Sequence, residues 1–227
     1  MMDDKLVSVI MSVYNSKDSI SNSVESILNQ TYEKIEFLIM DDNSNDGTFD
    51  ILKEYEKKDK RIKLSRNRKN IGLTKSLNIL LNKAEGGLIA RQDADDVSLL
   101  SRFDEQINFI TMKRLDGTTS RSLSKQTGKK VPKFSLYLPT KLIIKYKNPF
   151  IHGTLMVKKS AVIDVGMYDE NIIYAQDYKL FIELLKKNYK IKILKKKLYV
   201  LNMENNISSL KKEEQQYFFK KIQKGNL

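Results

Sequence analysis

Short apolar runs alternate with helix-period stripes through the first half of this chain, and no other feature limits its fold as tightly. Residues 6–13 are β-branched and nearly all apolar, which suits a strand covered on both faces. Ile20, Val24, Ile27 and Leu28 then fall on one helical stripe. Residues 35–40 read as a second buried strand, and Ile51, Leu52 and Tyr55 mark a helix over 48–58. A shorter alternating strand (61–65), a helix bearing Leu73, Leu77, Leu80 and Leu81, and a strand at 88–90 follow. A helix over 98–112 buries Phe103, Ile107 and Ile110. This order implies right-handed crossovers and an α/β fold, with a mostly parallel central sheet and helices on both faces. Ligands of such sheets sit beyond the carboxyl ends of the strands. The polar clusters at 14–18, 41–48 and 91–96 each follow directly on a strand, so all three are expected along one edge.

The second half is less regular. Residues 115–133 are polar, basic and rich in Ser, Thr and Gly, and read as a long loop carrying at most one short strand. Order resumes with a turn at 148–150, a strand at 153–157 and a short helix ending near Gly166. A helix over 175–187 turns Leu180, Phe181, Leu184 and Leu185 inward, and 191–201 alternates as a strand. A basic amphipathic helix covers about 210–224. No internal repeat and no linker interrupts the chain, which predicts one domain over 1–227. Within it, 1–112 and 113–209 form two halves and 210–227 a terminal helix.

Composition narrows the chemistry. The chain has no cysteine, which removes disulfides, thiol nucleophiles and thiolate metal sites. Its one histidine, His152, excludes a zinc site built on several imidazoles. A bound metal must rest on carboxylates, which points to Mg2+ or Mn2+. The formal net charge is +13, unevenly spread: residues 1–50 carry −7 and residues 183–227 carry +8. The basic tail reads first as a solvated lysine-rich face, and second as a surface for phosphates or an anionic membrane. Nucleic acid is a poor fit, because the charge is lysine-heavy and tryptophan is absent. No apolar run approaches a membrane span and the start lacks a signal peptide, so a cytoplasmic protein is expected.

Four constellations could carry chemistry. Asp93 and Asp95 flank a small residue just after a buried strand; ionised together they repel, and a divalent cation relieves that cost. Capping of the following helix by Asp96 or Ser98 is the plainer alternative, and it explains only one carboxylate. Asp41 and Asp42 form a second acidic pair at a strand end. Asp42 could accept from a nucleobase imide and ribose hydroxyls, while 43–48 read as turn residues with Asp46 as a cap. Asp177 opens a helix, where it could cap or could act as a general base toward an alcohol. His152, followed by Gly153, is either a satisfied structural residue or a contact to phosphate or acceptor.

Together these segments resemble the inverting family 2 glycosyltransferases of GT-A fold. The resemblance rests on residues 7–15 (VSVIMSVYN), 26–31 (SILNQT), 41–48 (DDNSNDGT), 70–72 (NIG), 90–96 (ARQDADD), 148–152 (NPFIH) and 176–178 (QDY). It is continuous over 1–112 and returns over 146–209. It implies a Rossmann-like GT-A domain that moves a sugar from a nucleotide-diphosphate donor, UDP-sugar foremost, to a hydroxyl of a glycan or lipid-linked acceptor in surface polysaccharide synthesis. By position, Ser12, Tyr14 and Asp42 are implied nucleotide contacts, Asp93 a ribose or nucleotide contact, Asp95 the metal ligand of the DxD motif and Asp177 the catalytic base. His152 remains a contact to acceptor or phosphate. The acidic residue expected before the base is Gln176 here, and Met203 stands where a histidine is expected. That departure, with the poor match over 115–140, keeps a second expectation open: a nucleotide-sugar-binding homologue with lost or weakened transfer. Peripheral contact with the inner face of an anionic membrane is compatible with either.

Overall fold

The computed structural model describes residues 6–132, 139–204 and 211–225. Strand β1 (Val7–Val13) pairs in parallel with β2 (Ile35–Asp41), and β2 with β3 (Ile62–Arg66). On its other side β1 takes β4 (Leu88–Arg91), also in parallel. Helices α1 (Ile20–Leu28), α2 (Thr48–Lys58) and α3 (Leu73–Lys83) make the crossovers. Alternation along β1 explains its nearly unbroken apolar run. Val7, Val9, Met11 and Val13 pack with α1, with Leu52 of α2 and with Phe103 and Ile107 on one face. Ile10 points the other way, into a core with Leu77, Leu80 and Leu81 of α3.

The expectation of a mostly parallel sheet is corrected beyond β4. After β5 (Val97–Ser98) and α4 (Arg102–Lys113) come β6 (Gly117–Ser124) and β7 (Lys130–Val131), then the short helix α5 (Thr140–Ile143). A single 3-10 turn (His152–Thr154) leads to β8 (Met156–Lys158), α6 (Lys159–Asp164), α7 (Gln176–Lys186) and β9 (Ile191–Leu201). The helix α8 (Lys212–Gln223) closes the described chain. The sheet order is β3-β2-β1-β4-β8-β6-β9-β5, with β7 on β6. Of its eight pairings four are parallel and four antiparallel. The change comes at β8, which runs antiparallel to both β4 and β6.

Two further expectations are corrected. The stretch read as a loop contains β6, eight residues long and central in the sheet. Its sequence, GTTSRSLS, has no apolar alternation, yet Thr118, Thr119, Ser120 and Ser122 are fully buried. Thr118 Oγ1 donates to the Lys192 carbonyl (2.8 Å), and Thr154 Oγ1 accepts from the Ser120 N–H (3.0 Å). Helix α4 starts at Arg102, not 98, because Val97 and Ser98 pair instead with Val200 and Tyr199 of β9. The terminal helix lies near its expected place, with Tyr178 of α7 stacked on Phe219 at 4.2 Å between ring centroids. Residues 205–210, just past Met203, fall outside the described residues.

Candidate active site

The three polar clusters meet at the carboxyl edge of the parallel strands. The Asn15 N–H donates to Ser44 Oγ (2.9 Å), that of Ser16 to Thr48 Oγ1 (2.9 Å), and that of Lys17 to Asp46 Oδ2 (3.0 Å), which closes the first cluster on the second. Asp46 also accepts from the Thr48 N–H at 2.9 Å, an Asx turn just ahead of α2, whose N-cap is Gly47 and not Asp46 as expected. Ser19 Oγ donates to the Ala94 carbonyl (3.0 Å) and Ser23 Oγ to that of Asp93 (2.8 Å), so α1 holds the acidic turn. Ser12 lies half-buried at the end of β1, opposite Met40 of β2, and Tyr14 beyond it is 48% exposed.

Asp42 is buried, and its oxygens are engaged by the chain itself. Oδ1 accepts from Asn67 Nδ2 (2.8 Å) and the Ile71 N–H (2.9 Å), and Oδ2 from the Gly72 N–H (2.8 Å). Gly72 sits at φ +88°, a left-handed conformation that a side chain would resist, and α3 starts from it. Asp42 therefore anchors the N-terminus of α3 while standing at the edge where a ligand would lie.

The turn after β4 rests on two buried arginines that sequence reasoning did not single out. Arg91 is fully buried; its guanidinium donates to the Ile10 carbonyl (2.9 Å) and the Gln92 carbonyl (2.7 Å) and pairs with Asp93. Arg102, from the first turn of α4, donates to Ser98 Oγ (2.8 Å), the Arg91 carbonyl (2.8 Å) and Gln106 Oε1 (3.0 Å). Burial pushes its pKa down to about 10, still well above neutrality. Neither carried a local sequence signal: Arg91 runs straight into the polar turn, and Arg102 stands between Ser101 and Phe103-Asp104-Glu105.

Above this base sit three carboxylates. Asp95 is half-buried and accepts from Asn202 Nδ2 at 3.2 Å; burial and then the charge of Asp93 raise its pKa. Asp96 is buried and accepts from the Asn202 N–H at 2.6 Å; burial, then Asp93 and Asp95, push it up to about 8. Asp96 and Ser98 therefore do not cap α4, which removes the plainer account of this acidic run. The Asp93 N–H donates to Tyr199 Oη at 3.2 Å. Gly153 packs against the same pair: a Cβ there would lie 2.5 Å from Asp93 Oδ2 and 2.6 Å from Tyr199 Oη. Among the described residues no group of three or more His, Asp or Glu side chains gathers as a metal cage.

Asp177 reaches the same neighbourhood from the second half. It lies in the first turn of α7, entered through Ala175 at φ 60°, a strained conformation for a residue with a side chain. Ala175 is the N-cap, so Asp177 does not fill that position. Asn148 Nδ2 donates to Asp177 Oδ2 at 2.8 Å. Burial pushes Asp177 up to about 6, and the charge of Asp93 adds to the rise. His152 is half-buried, with Nε2 2.7 Å from Tyr168 Oη. Burial, then Arg91, lower it to about 3, against an opposing pull from Asp93, so the ring is neutral. Asp93, Asp95, Asp96, His152 and Asp177 thus share one electrostatic field, with Ser12 and Tyr14 one strand, and Asp42 two strands, along the same edge. Met203 is 47% exposed beyond β9.

Known proteins carry the same pattern. Residues 8–166 match the family described as Glycosyl transferase family 2. An uncharacterized glycosyltransferase of Methanocaldococcus jannaschii is 34% identical over 94% of this chain and 77% of its own length. The Escherichia coli UDP-Glc:alpha-D-GlcNAc-diphosphoundecaprenol beta-1,3-glucosyltransferase WfaP is 40% identical over 49% of this chain and 43% of its own. The crystal structure of S. aureus TarS 1–349 in complex with UDP superposes with a TM-score of 0.76 at 24% identity, over 96% of this chain and 64% of that one. That likeness concerns the fold, a Rossmann-like GT-A type with a mixed sheet. On the family match and the near full-length relative, the chain belongs to glycosyl transferase family 2.

Proposed function

We propose that this chain transfers a sugar, with inversion, from a nucleotide-diphosphate donor to a hydroxyl of a glycan or lipid-linked acceptor. One observation carries the reading: the turn at 148–153 touches both carboxylates, with Asn148 donating to Asp177 and Gly153 packed on Asp93, although 84 residues separate the two aspartates. The donor half is 1–112, the acceptor half 113–209, and 210–227 is a basic C-terminal segment whose described helix is Lys212–Gln223. UDP is the nucleotide we favour, because the TarS structure of like fold was solved with UDP and WfaP is named for a UDP-Glc donor. Ser12, Tyr14, Asp42 and Asp93 contact the nucleotide. The acceptor is a surface polysaccharide precursor, in keeping with the diphosphoundecaprenol-linked sugar in the name of WfaP.

Asp177 takes the proton from the acceptor hydroxyl as that oxygen attacks the anomeric carbon opposite the leaving diphosphate. A single displacement from that face inverts the centre. Burial favours this role, because a carboxyl near 6 is basic enough to accept a proton and still ionised at neutral pH. The acidic turn fits Mg2+ or Mn2+ held by Asp95, with the donor's own oxygens completing the shell. Hard carboxylate donors suit either ion. When bound, such an ion would offset charge growing on the diphosphate. Arg91 meanwhile holds Asp93 in place, and Asn148 orients Asp177.

A location at the cytoplasmic face of an anionic membrane suits a lipid-linked acceptor. The exposed Tyr146 and Tyr217, with Lys145, Lys220 and Lys224 around them, support it. Met203, where the family often has a histidine, favours a second reading: a donor-binding homologue with weakened transfer. Turnover of UDP-sugars with Mn2+ against a chelated control separates the two. The first reading expects sugar release or transfer that chelation and Asp95→Ala both abolish, and donor binding without turnover would overturn it.

A further inference from the structure

The imidazole of His152 is held by a single hydrogen bond. Its only protein partner among the described residues is Tyr168 Oη, 2.7 Å from Nε2, with the two rings edge to face at 5.5 Å and 75°. Tyr168 is itself fixed. It is 3% exposed, its N–H donates to Asn78 Oδ1 (3.1 Å), and its carbonyl accepts from Asn78 Nδ2 (2.8 Å). One amide on α3 thus grips both main-chain groups of the tyrosine.

The direction of the His152–Tyr168 bond follows from counting protons. A phenol has one, and Tyr168 Oη has no second hydrogen-bond partner among the described residues. If Nε2 donated, that O–H would be buried with no acceptor among the described residues, which is costly. The phenol therefore donates and Nε2 accepts. A neutral imidazole with Nε2 accepting keeps its proton on Nδ1, the opposite of the form a free histidine side chain favours in water. Burial and Arg91 keep the ring neutral, and burial keeps the Tyr168 phenol protonated. Nδ1 has no protein partner among the described residues and is not among the sealed, unsatisfied buried atoms. The ring feels the charge of Asp93, and the next residue, Gly153, lies against Asp93 Oδ2, so the imidazole stands beside the acidic turn.

We propose that Tyr168 is a positioning residue that locks His152 in the Nδ1–H form, making the ring a dedicated hydrogen-bond donor to an oxygen of the nucleotide-sugar. The ligand assignment rests on the transferase reading above; the lock itself does not. A protonated Nδ1 can hold a sugar hydroxyl or diphosphate oxygen in one orientation, whereas a ring free to exchange forms would present a lone pair half-heartedly to the same oxygen.

The chain contains one histidine, so its imidazole can be read without assignment. Long-range 1H–15N correlation on the full, tag-free chain labelled with 15N-histidine should show protonated Nδ1 and unprotonated Nε2 across pH 6–8. In Tyr168→Phe the pattern should move toward the Nε2–H form, with circular dichroism unchanged. An Nε2–H or charged ring in the unmodified protein would overturn the lock, even if Tyr168→Phe failed to fold; so would a Tyr168→Phe spectrum identical to it. Adding UDP-GlcNAc with Mg2+ should shift the Nδ1 resonance, and UDP with Mg2+ alone tells whether the sugar or the diphosphate is responsible; no shift with either overturns the ligand contact. In turnover, Tyr168→Phe should lower kcat about five- to tenfold with donor KM within about twofold. A lock seen by resonance in a chain that turns over no sugar would set aside the transferase reading and leave the tautomer assignment standing.

Discussion

Asp177 is ionised at neutral pH against the preference of its surroundings, and that conflict has a measurable sign. Its pKa is raised from 3.8 to about 6, so the folded protein binds this proton more tightly than the unfolded chain. The associated stability is fully present below about pH 4 and is lost as pH rises through 6. Asp177→Asn removes the charge, so it is expected to raise the stability of the ligand-free protein at pH 7.5 by about 1–3 kcal/mol, with the gain fading toward pH 4. The same change should abolish transfer while UDP binding survives, as thermal melts and calorimetry would show. For the unmodified enzyme, kcat/KM should fall on the acid side with an apparent pKa near 6, because the protonated carboxyl cannot accept the acceptor's proton. A second prediction concerns shape: Gly153→Ala drives a methyl against Asp93 and the fully buried Tyr199, so UDP-sugar affinity should fall at least about tenfold and the melting temperature should fall with it. The acidic residues of this site were legible in the sequence because carboxylates after buried strands are conspicuous. Arg91, Arg102, Tyr168 and Tyr199 were not, since their partners lie far along the chain and nothing local distinguishes a buried arginine from a surface one.

At the level of elements, the apolar strands and striped helices of the first half formed where their periodicity put them. Strand β6 did not announce itself, because serine and threonine are common in loops and its burial depends on neighbours from β8 and β9. Its hydroxyls expose the cost. Thr119 Oγ1 and Ser122 Oγ are buried with no hydrogen-bond partner among the described residues. Thr119→Val keeps the branched shape and removes the unsatisfied oxygen, so urea denaturation should show equal stability or a gain of about 1 kcal/mol. A loss greater than that would mean the hydroxyl has found a partner. The start of α4 was misjudged for a related reason: Val97 and Ser98 are claimed by β9, whose place in the sheet no local signal reveals.

Over the whole molecule, strand–helix alternation gave the fold class but not the composition of the sheet. Periodicity reports burial and spacing, and it carries no sign for the direction of a neighbour. The charge asymmetry was legible from counting alone. It predicts that the protein sediments with vesicles containing anionic lipid at low salt, detaches as salt approaches about 0.5 M, and ignores neutral vesicles. Binding that does not distinguish the two vesicle types would refute an electrostatic attachment.

Helix α3 has a mechanical consequence. Its N-terminus hangs on Asp42, where a nucleobase is expected, and five residues in, Asn78 grips Tyr168 beside the imidazole. Between those two grips the helix is a strut of about 8 Å, reaching from the edge proposed for the nucleotide toward the imidazole. A nucleotide that tugs on the Asp42 carboxylate would transmit its arrival, through the six residues from Leu73 to Asn78, to the ring proposed to greet it.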